Sequence, residues 1–228
     1  MNIGFGTEHR RKVEEQESWV GQWLDLYFYP HITKAFKRNT DTETQKRGID
    51  IYLSGSTTAF TLDEKASVQW VNQGLNKYSM ELSILNDSGN EVNGWYMSDS
   101  ISDCMGLVFI DSGETYNERY LASSSITQAT YVLIDKAGFQ EVLDDMGWNK
   151  TALINKNNRI RTAYNEYGDE YWRHEYCGKL DVDGIHFYVQ TKDYQLERGI
   201  NMQFSRDFLI SHSLCTYKIT RDKLERLK

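Results

Sequence analysis

Three strand-like runs, Gly48–Leu53, Thr57–Ser67 and Ser79–Leu85, follow one another so closely that they constrain the fold more than any other feature of this chain. Ser54-Gly55-Ser56 supplies a turn between the first two. Parallel neighbours need a crossover of a dozen or more residues, so spacing this short predicts an antiparallel three-stranded meander. Ahead of it, Val13, Trp19, Val20, Trp23, Leu24, Tyr27 and Phe28 recur at helical spacing over residues 8–28, and Pro30 closes that run. Asp41 to Gly48 opens on a capping residue and ends on glycine, predicting a short helical turn. Leu107–Ile110 and Thr130–Ile134 read as further short strands, and Lys136–Met146 as a helix stopped by Gly147. The order helix, meander, strand, helix predicts an α/β (mixed α+β) fold.

At 228 residues the chain suits one domain, expected here as a core over 10–146 with a C-terminal extension over 155–228 that carries strand candidates at Gly184–Val189 and Ile200–Phe204. Hydrophobic residues make up 39% of it, enough for a core without staples. Cys104, Cys177 and Cys215 are far apart and never form a CxxC pair, which argues against a disulfide framework or zinc knuckle and predicts a reducing compartment. No apolar run reaches the ~18 residues of a membrane span, and charged residues interrupt the N-terminus before any signal-like stretch, so no membrane association and a cytoplasmic location are expected. A net charge of −7 excludes coating of nucleic acid by bulk electrostatics, leaving only local basic sets such as Arg10-Arg11-Lys12, Lys34–Arg38, Lys46-Arg47 and Lys156–Arg161 to track phosphates.

Successive strand side chains face opposite ways, so Asp63 and Lys65 share one face of the second run, with Glu64 opposite. In the first run Ile49, Ile51 and Leu53 point to a core and Asp50 points away. Pairing of the two runs would gather two carboxylates and an ammonium on one patch. Such carboxylates suit Mg2+ or Mn2+, and a neighbouring lysine can orient water or offset phosphate charge.

Asp50, a 12-residue gap, then Asp63-Glu64-Lys65 on the next strand resembles the D…(D/E)xK signature of the PD-(D/E)xK, or restriction-endonuclease-like, nuclease superfamily. The resemblance covers roughly residues 10–146, although no proline precedes Asp50. It implies a restriction-endonuclease-like core in which a helix precedes a three-stranded meander, Asp50 and Asp63 hold Mg2+ (or Mn2+), and Lys65 is the catalytic lysine. It also implies Gln45 near the site, Glu81 as a further acid from the third strand, and Glu14 or Glu15 as one from the first helix. A β-bulge would exchange the roles of Asp63 and Glu64, so both are carried as metal ligands. The activity so implied is metal-dependent phosphodiester hydrolysis of nucleic acid, DNA ahead of RNA, with a homodimer left open because cutting both strands often takes two sites.

A plainer reading takes the same residues as the solvent-facing side of an alternating strand and a cross-strand salt-bridge surface. The acidic, tyrosine-rich chain is then a non-catalytic interaction protein on a nuclease-like scaffold that binds a protein partner. The aromatic cluster Tyr164, Tyr167, Tyr171, Trp172 and Tyr176 suits either core packing or stacking on unpaired bases. The five histidines share no ligand spacing, and Asp181-Val182-Asp183-Gly184 reads as a turn.

Overall fold

The computed structural model describes residues 3–55, 59–68, 71, 76–86, 88–112, 123–190 and 198–228, with first-helix side chains from residue 11 onward except residue 12. Ser56 and Thr57, and the side chains of Arg10 and Lys12, fall outside that description. The chain runs α1 (Ile3–Tyr27), α2 (Tyr29–Ile32), β1 (Ala35–Arg38), α3 (Thr42–Lys46), β2 (Ile51–Ser54), β3 (Ala59–Ala66), β4 (Lys77–Leu85), β5 (Glu91–Asn93), β6 (Cys104–Ser112) and β7 (Ile126–Asp135). It continues through α4 (Lys136–Asp145), α5 (Lys150–Tyr167), β8 (Asp181–Val182), β9 (Ile185–Val189), β10 (Ile200–Ser205), α6 (Arg206–Ser211), β11 (Cys215–Thr220) and β12 (Leu224–Arg226). The fold is mixed α+β, and no helix among the described residues is long and apolar enough to cross a membrane.

Two compact units are woven from interleaved segments: 1–76, 101–136 and 206–228 form the first, and 77–100 with 137–205 the second. The first is built on a seven-stranded sheet of order β1-β2-β3-β6-β7-β11-β12. Its neighbours are antiparallel except β3 and β6, which run parallel. Val20, Trp23 and Leu24 of α1, with Phe28 and Tyr29, pack on the sheet face formed by Ile51, Leu53, Leu62, Val108, Ile110, Tyr131 and Leu133. These residues alternate along their strands, so one face of β2, β3, β6 and β7 is committed to the helix. Proline ends α1 as expected, but the chain resumes as α2, with Pro30 in its first turn where the missing N–H costs nothing. Asp41 caps α3, its carboxylate accepting from the Thr44 amide at 2.8 Å.

The second unit carries a five-stranded antiparallel sheet of order β5-β4-β10-β9-β8. Its core includes Met80 and Leu82 from β4, Phe139 and Leu143 from α4, Leu153 and Ile160 from α5, and Phe187, Met202 and Phe204. Asp183 and Gly184, both at positive φ, make the two-residue turn between β8 and β9.

Two expectations are corrected here. The antiparallel meander exists, but its strands are β1, β2 and β3; β4 lies in the five-stranded sheet between β5 and β10, so Glu81 is not on a strand beside Asp63. The division into 10–146 and 155–228 does not follow the units either, since 77–100 pack with 137–205 and the last strands extend the first sheet. The physical reason is that β4 buries Tyr78, Met80, Leu82 and Ser83 within a sheet of its own unit.

Candidate active site

The β2–β3 ladder sets Ile51 opposite Leu62, yet the Asp50 amide also reaches the Leu62 carbonyl at 2.8 Å. Two residues of one strand therefore meet one of the other, and the ladder goes out of step at Asp50 in the manner of a bulge. Beyond this point the Glu64 amide finds a side chain: it donates to Asp50 Oδ2 at 2.8 Å. That contact places the Asp50 carboxylate at the backbone between Asp63 and Lys65.

On β3 the side chain of Asp63 is 2% exposed and Lys65 meets its Oδ1 at 2.7 Å. Lys136, the first residue of α4 directly after β7, approaches Oδ2 of the same carboxylate at 3.4 Å and also donates to Ser102 Oγ. Register explains its arrival: Asp63 pairs with Met105, Met105 with Ile134, and Lys136 lies two residues past Ile134, just beyond the end of β7.

Burial pushes the Asp50 carboxyl above its ordinary range, and the Asp63 charge adds to that; Lys65, the Glu64 amide and Arg38 pull against it. For Lys65, burial alone favours the neutral amine, but Asp63, Asp50 and Glu17 outweigh it and hold the ammonium above its usual range. Lys136 goes the other way, lowered by burial and by Lys65 despite Asp63. On α1, Glu17 is raised to about 7, first by desolvation in its crowded though accessible position and then by Asp50, Glu14 and Glu64, with Lys65 opposing.

Glu64 belongs to the opposite face of β3. Its carboxylate, 7% exposed, is held by Arg38 at 3.1 Å and by the Tyr29 hydroxyl. Arg38 in turn grips Asp25 through Nε and Nη2 and donates to the Gly21 carbonyl, while Tyr29 meets the Tyr131 hydroxyl at 3.1 Å. This buried network ties α1 and α2 to β1, β3 and β7 directly behind Asp63 and Lys65.

The structure thus brings Asp50, Asp63 and Lys65 together and holds Glu64 on the far face. Gln45 donates its amide to the Asn39 carbonyl at 2.9 Å, bracing the segment before Asp50, and Glu81 sits in the second unit. Glu15 pairs with Arg11 at 3.6 Å, and the α1 carboxylate that interacts with Lys65 and Asp50 is Glu17. Sequence reasoning missed Glu17 and Lys136, although Glu17 lies one turn from Glu14 and Lys136 continues the period of Val132 and Ile134.

Among the described residues no group of three or more His, Cys, Asp or Glu side chains is arranged to hold a metal. The donors here are two carboxylates, a set that fits Mg2+, which keeps several waters and is bound through one or two protein carboxylates plus substrate phosphate oxygens. No family model matches the chain, and comparison with curated proteins and with solved structures gives no match.

Proposed function

We propose that this chain hydrolyses phosphodiester bonds of nucleic acid, DNA in preference to RNA, with Mg2+ or Mn2+ held by Asp50 and Asp63. The observation that carries the reading is the Asp50 carboxylate, just ahead of the second strand of a meander that follows a helix, bound to the Glu64 amide between Asp63 and Lys65 on the third. That arrangement supports the likeness to the PD-(D/E)xK superfamily and a restriction-endonuclease-like core in the first unit.

A cation at these carboxylates would lower the pKa of a bound water and offset charge on the phosphate. Lys65, kept protonated by its carboxylate neighbours, acts as a fixed positive charge and donor toward the reacting phosphate rather than as a base. Asp63 anchors that ammonium, and the network behind β3 holds both in place.

The test is cleavage of mixed DNA and RNA by the full chain in Mg2+, beside Asp63→Ala and Lys65→Ala. Each variant should lose activity by roughly a hundredfold or more. Undiminished cleavage in both overturns the assignment. One observation favours a second reading, a non-catalytic acidic protein that binds a protein partner: both oxygens of Asp63 are already met by lysines. Absence of both Mn2+ binding and cleavage decides for that reading.

A further inference from the structure

We infer that Lys136 is a second phosphate-binding cation of this site, so that the site takes a divalent cation and a nucleic-acid phosphodiester together; the inference rests on Asp50 and Asp63 being the metal-holding pair.

The argument begins with charge. Counted without the α1 carboxylate Glu17, Asp50 and Asp63 set two carboxylates against the two ammoniums of Lys65 and Lys136, so these four side chains are neutral as a set. One ammonium would satisfy the Asp63 ion pair, yet two converge on it, Lys65 from β3 and Lys136 from the first position of α4. A divalent cation entering at the carboxylates turns this neutral set into one with a surplus of two positive charges. A phosphodiester brings one negative charge and gathers more as it is attacked, which matches that surplus.

Geometry selects Lys136 as the group that turns to the phosphate. Lys65 holds Asp63 at 2.7 Å, whereas Lys136 stands at 3.4 Å, the longer of the two contacts. Its side chain is 23% exposed against 30% for Lys65, so an incoming anion can reach either ammonium and the weaker hold on Asp63 decides which one turns. The Ser102 hydroxyl fixes the ammonium, and the Lys136 amide donates to the Asp103 carbonyl at 3.1 Å, which fixes the backbone. A metal ion competing for the Asp63 oxygens would weaken the longer pair and redirect a lysine that is already positioned. Metal and phosphodiester should then strengthen one another's binding by the same factor.

Calorimetric titration of the full chain tests this, with a short DNA duplex as probe, Ca2+ in place of Mg2+ to limit turnover, and wild type beside Lys136→Met and Lys136→Arg. Wild type should bind the duplex more tightly with Ca2+ than without. Lys136→Met should lose about tenfold or more of that affinity, while Lys136→Arg keeps most of it. Binding of Ca2+ alone should be undiminished in Lys136→Met, because Asp63 loses a competing ammonium. If Lys136→Met does not fold, Lys136→Gln, which can still bond to Ser102, gives the same comparison. Equal duplex affinity in wild type and the neutral variant, or no duplex binding by wild type, overturns the inference. Lys136-dependent duplex binding with no cleavage in Mg2+ overturns the proposed hydrolysis instead and leaves the phosphate site standing.

Discussion

Asp63 and Lys65, two residues apart on β3, form a 2.7 Å ion pair on the face of the strand turned away from Glu64. Because Asp63 also meets Lys136, the two ends of this pair are unequal. Asp63→Asn removes the carboxylate that both ammoniums meet and leaves Asp50 alone to offset them, which should cost on the order of 3 kcal/mol. Lys65→Met leaves Asp63 still paired with Lys136 and should cost about 1 kcal/mol. Urea denaturation of the two variants checks the order. A larger loss for Lys65→Met would mean that Lys136 does not share the charge of Asp63.

Glu64 and Asp63 are adjacent in sequence yet answer to different partners, so they should separate cleanly on metal. Glu64→Gln removes the carboxylate that Arg38 and Tyr29 hold, and is expected to lower stability with Mn2+ affinity close to wild type. Asp63→Asn should lose Mn2+ binding. The reverse pattern in a calorimetric titration would assign the ligand to Glu64.

Much of the first unit could be read from local pattern, because the pattern there is imposed by one buried face. The period of Val20, Trp23, Leu24 and Phe28 gives α1, and Asp41 with Gly48 gives α3. β1 escaped because Ala35–Arg38 is four residues long and buries none of them fully. α5 escaped because it buries Lys156, Asn157 and Arg161 among its apolar positions, a polar interior that periodicity does not register. Arg161 is paired there with Glu91 at 3.0 Å, a contact across 70 residues that no local signal foretells. The shared face of Asp63 and Lys65 follows from a two-residue period. The arrival of Lys136 depends on a parallel pairing of β3 with β6 across an intervening stretch that contains β4 and β5.

Gly106 makes room for Tyr131, one end of the network behind the site. A Cβ added at Gly106 would lie 1.9 Å from the Tyr131 hydroxyl oxygen and 2.5 Å from the ring carbon that bears it. Both are buried, so Gly106→Ala should cost about 1–3 kcal/mol through overpacking. Tyr131→Phe removes the nearer atom, and the double variant should be less destabilised than the two single losses added together. Strict additivity in chemical denaturation would show that the clash is relieved by another route.

Glu17 gives the site a pH dependence whose sign follows from its raised carboxyl. Its ordinary value is 4.5 and in the folded chain it rises to about 7, so between those values folding takes up a proton. The stability that this group contributes is complete below 4.5, declines as pH climbs toward about 7, and is gone above it. Glu17→Gln should flatten that part of the stability profile and raise the melting temperature on the alkaline side relative to wild type. The same proton bears on the metal: below about 7 the carboxyl near Asp50 is neutral, and above it an added negative charge favours a cation. Wild-type Mn2+ affinity should therefore rise across that range more steeply than that of Glu17→Gln. Melting curves and Mn2+ titrations on either side of about 7 measure both effects. Identical pH profiles for the two proteins would mean that the helix carboxylate does not sense the site.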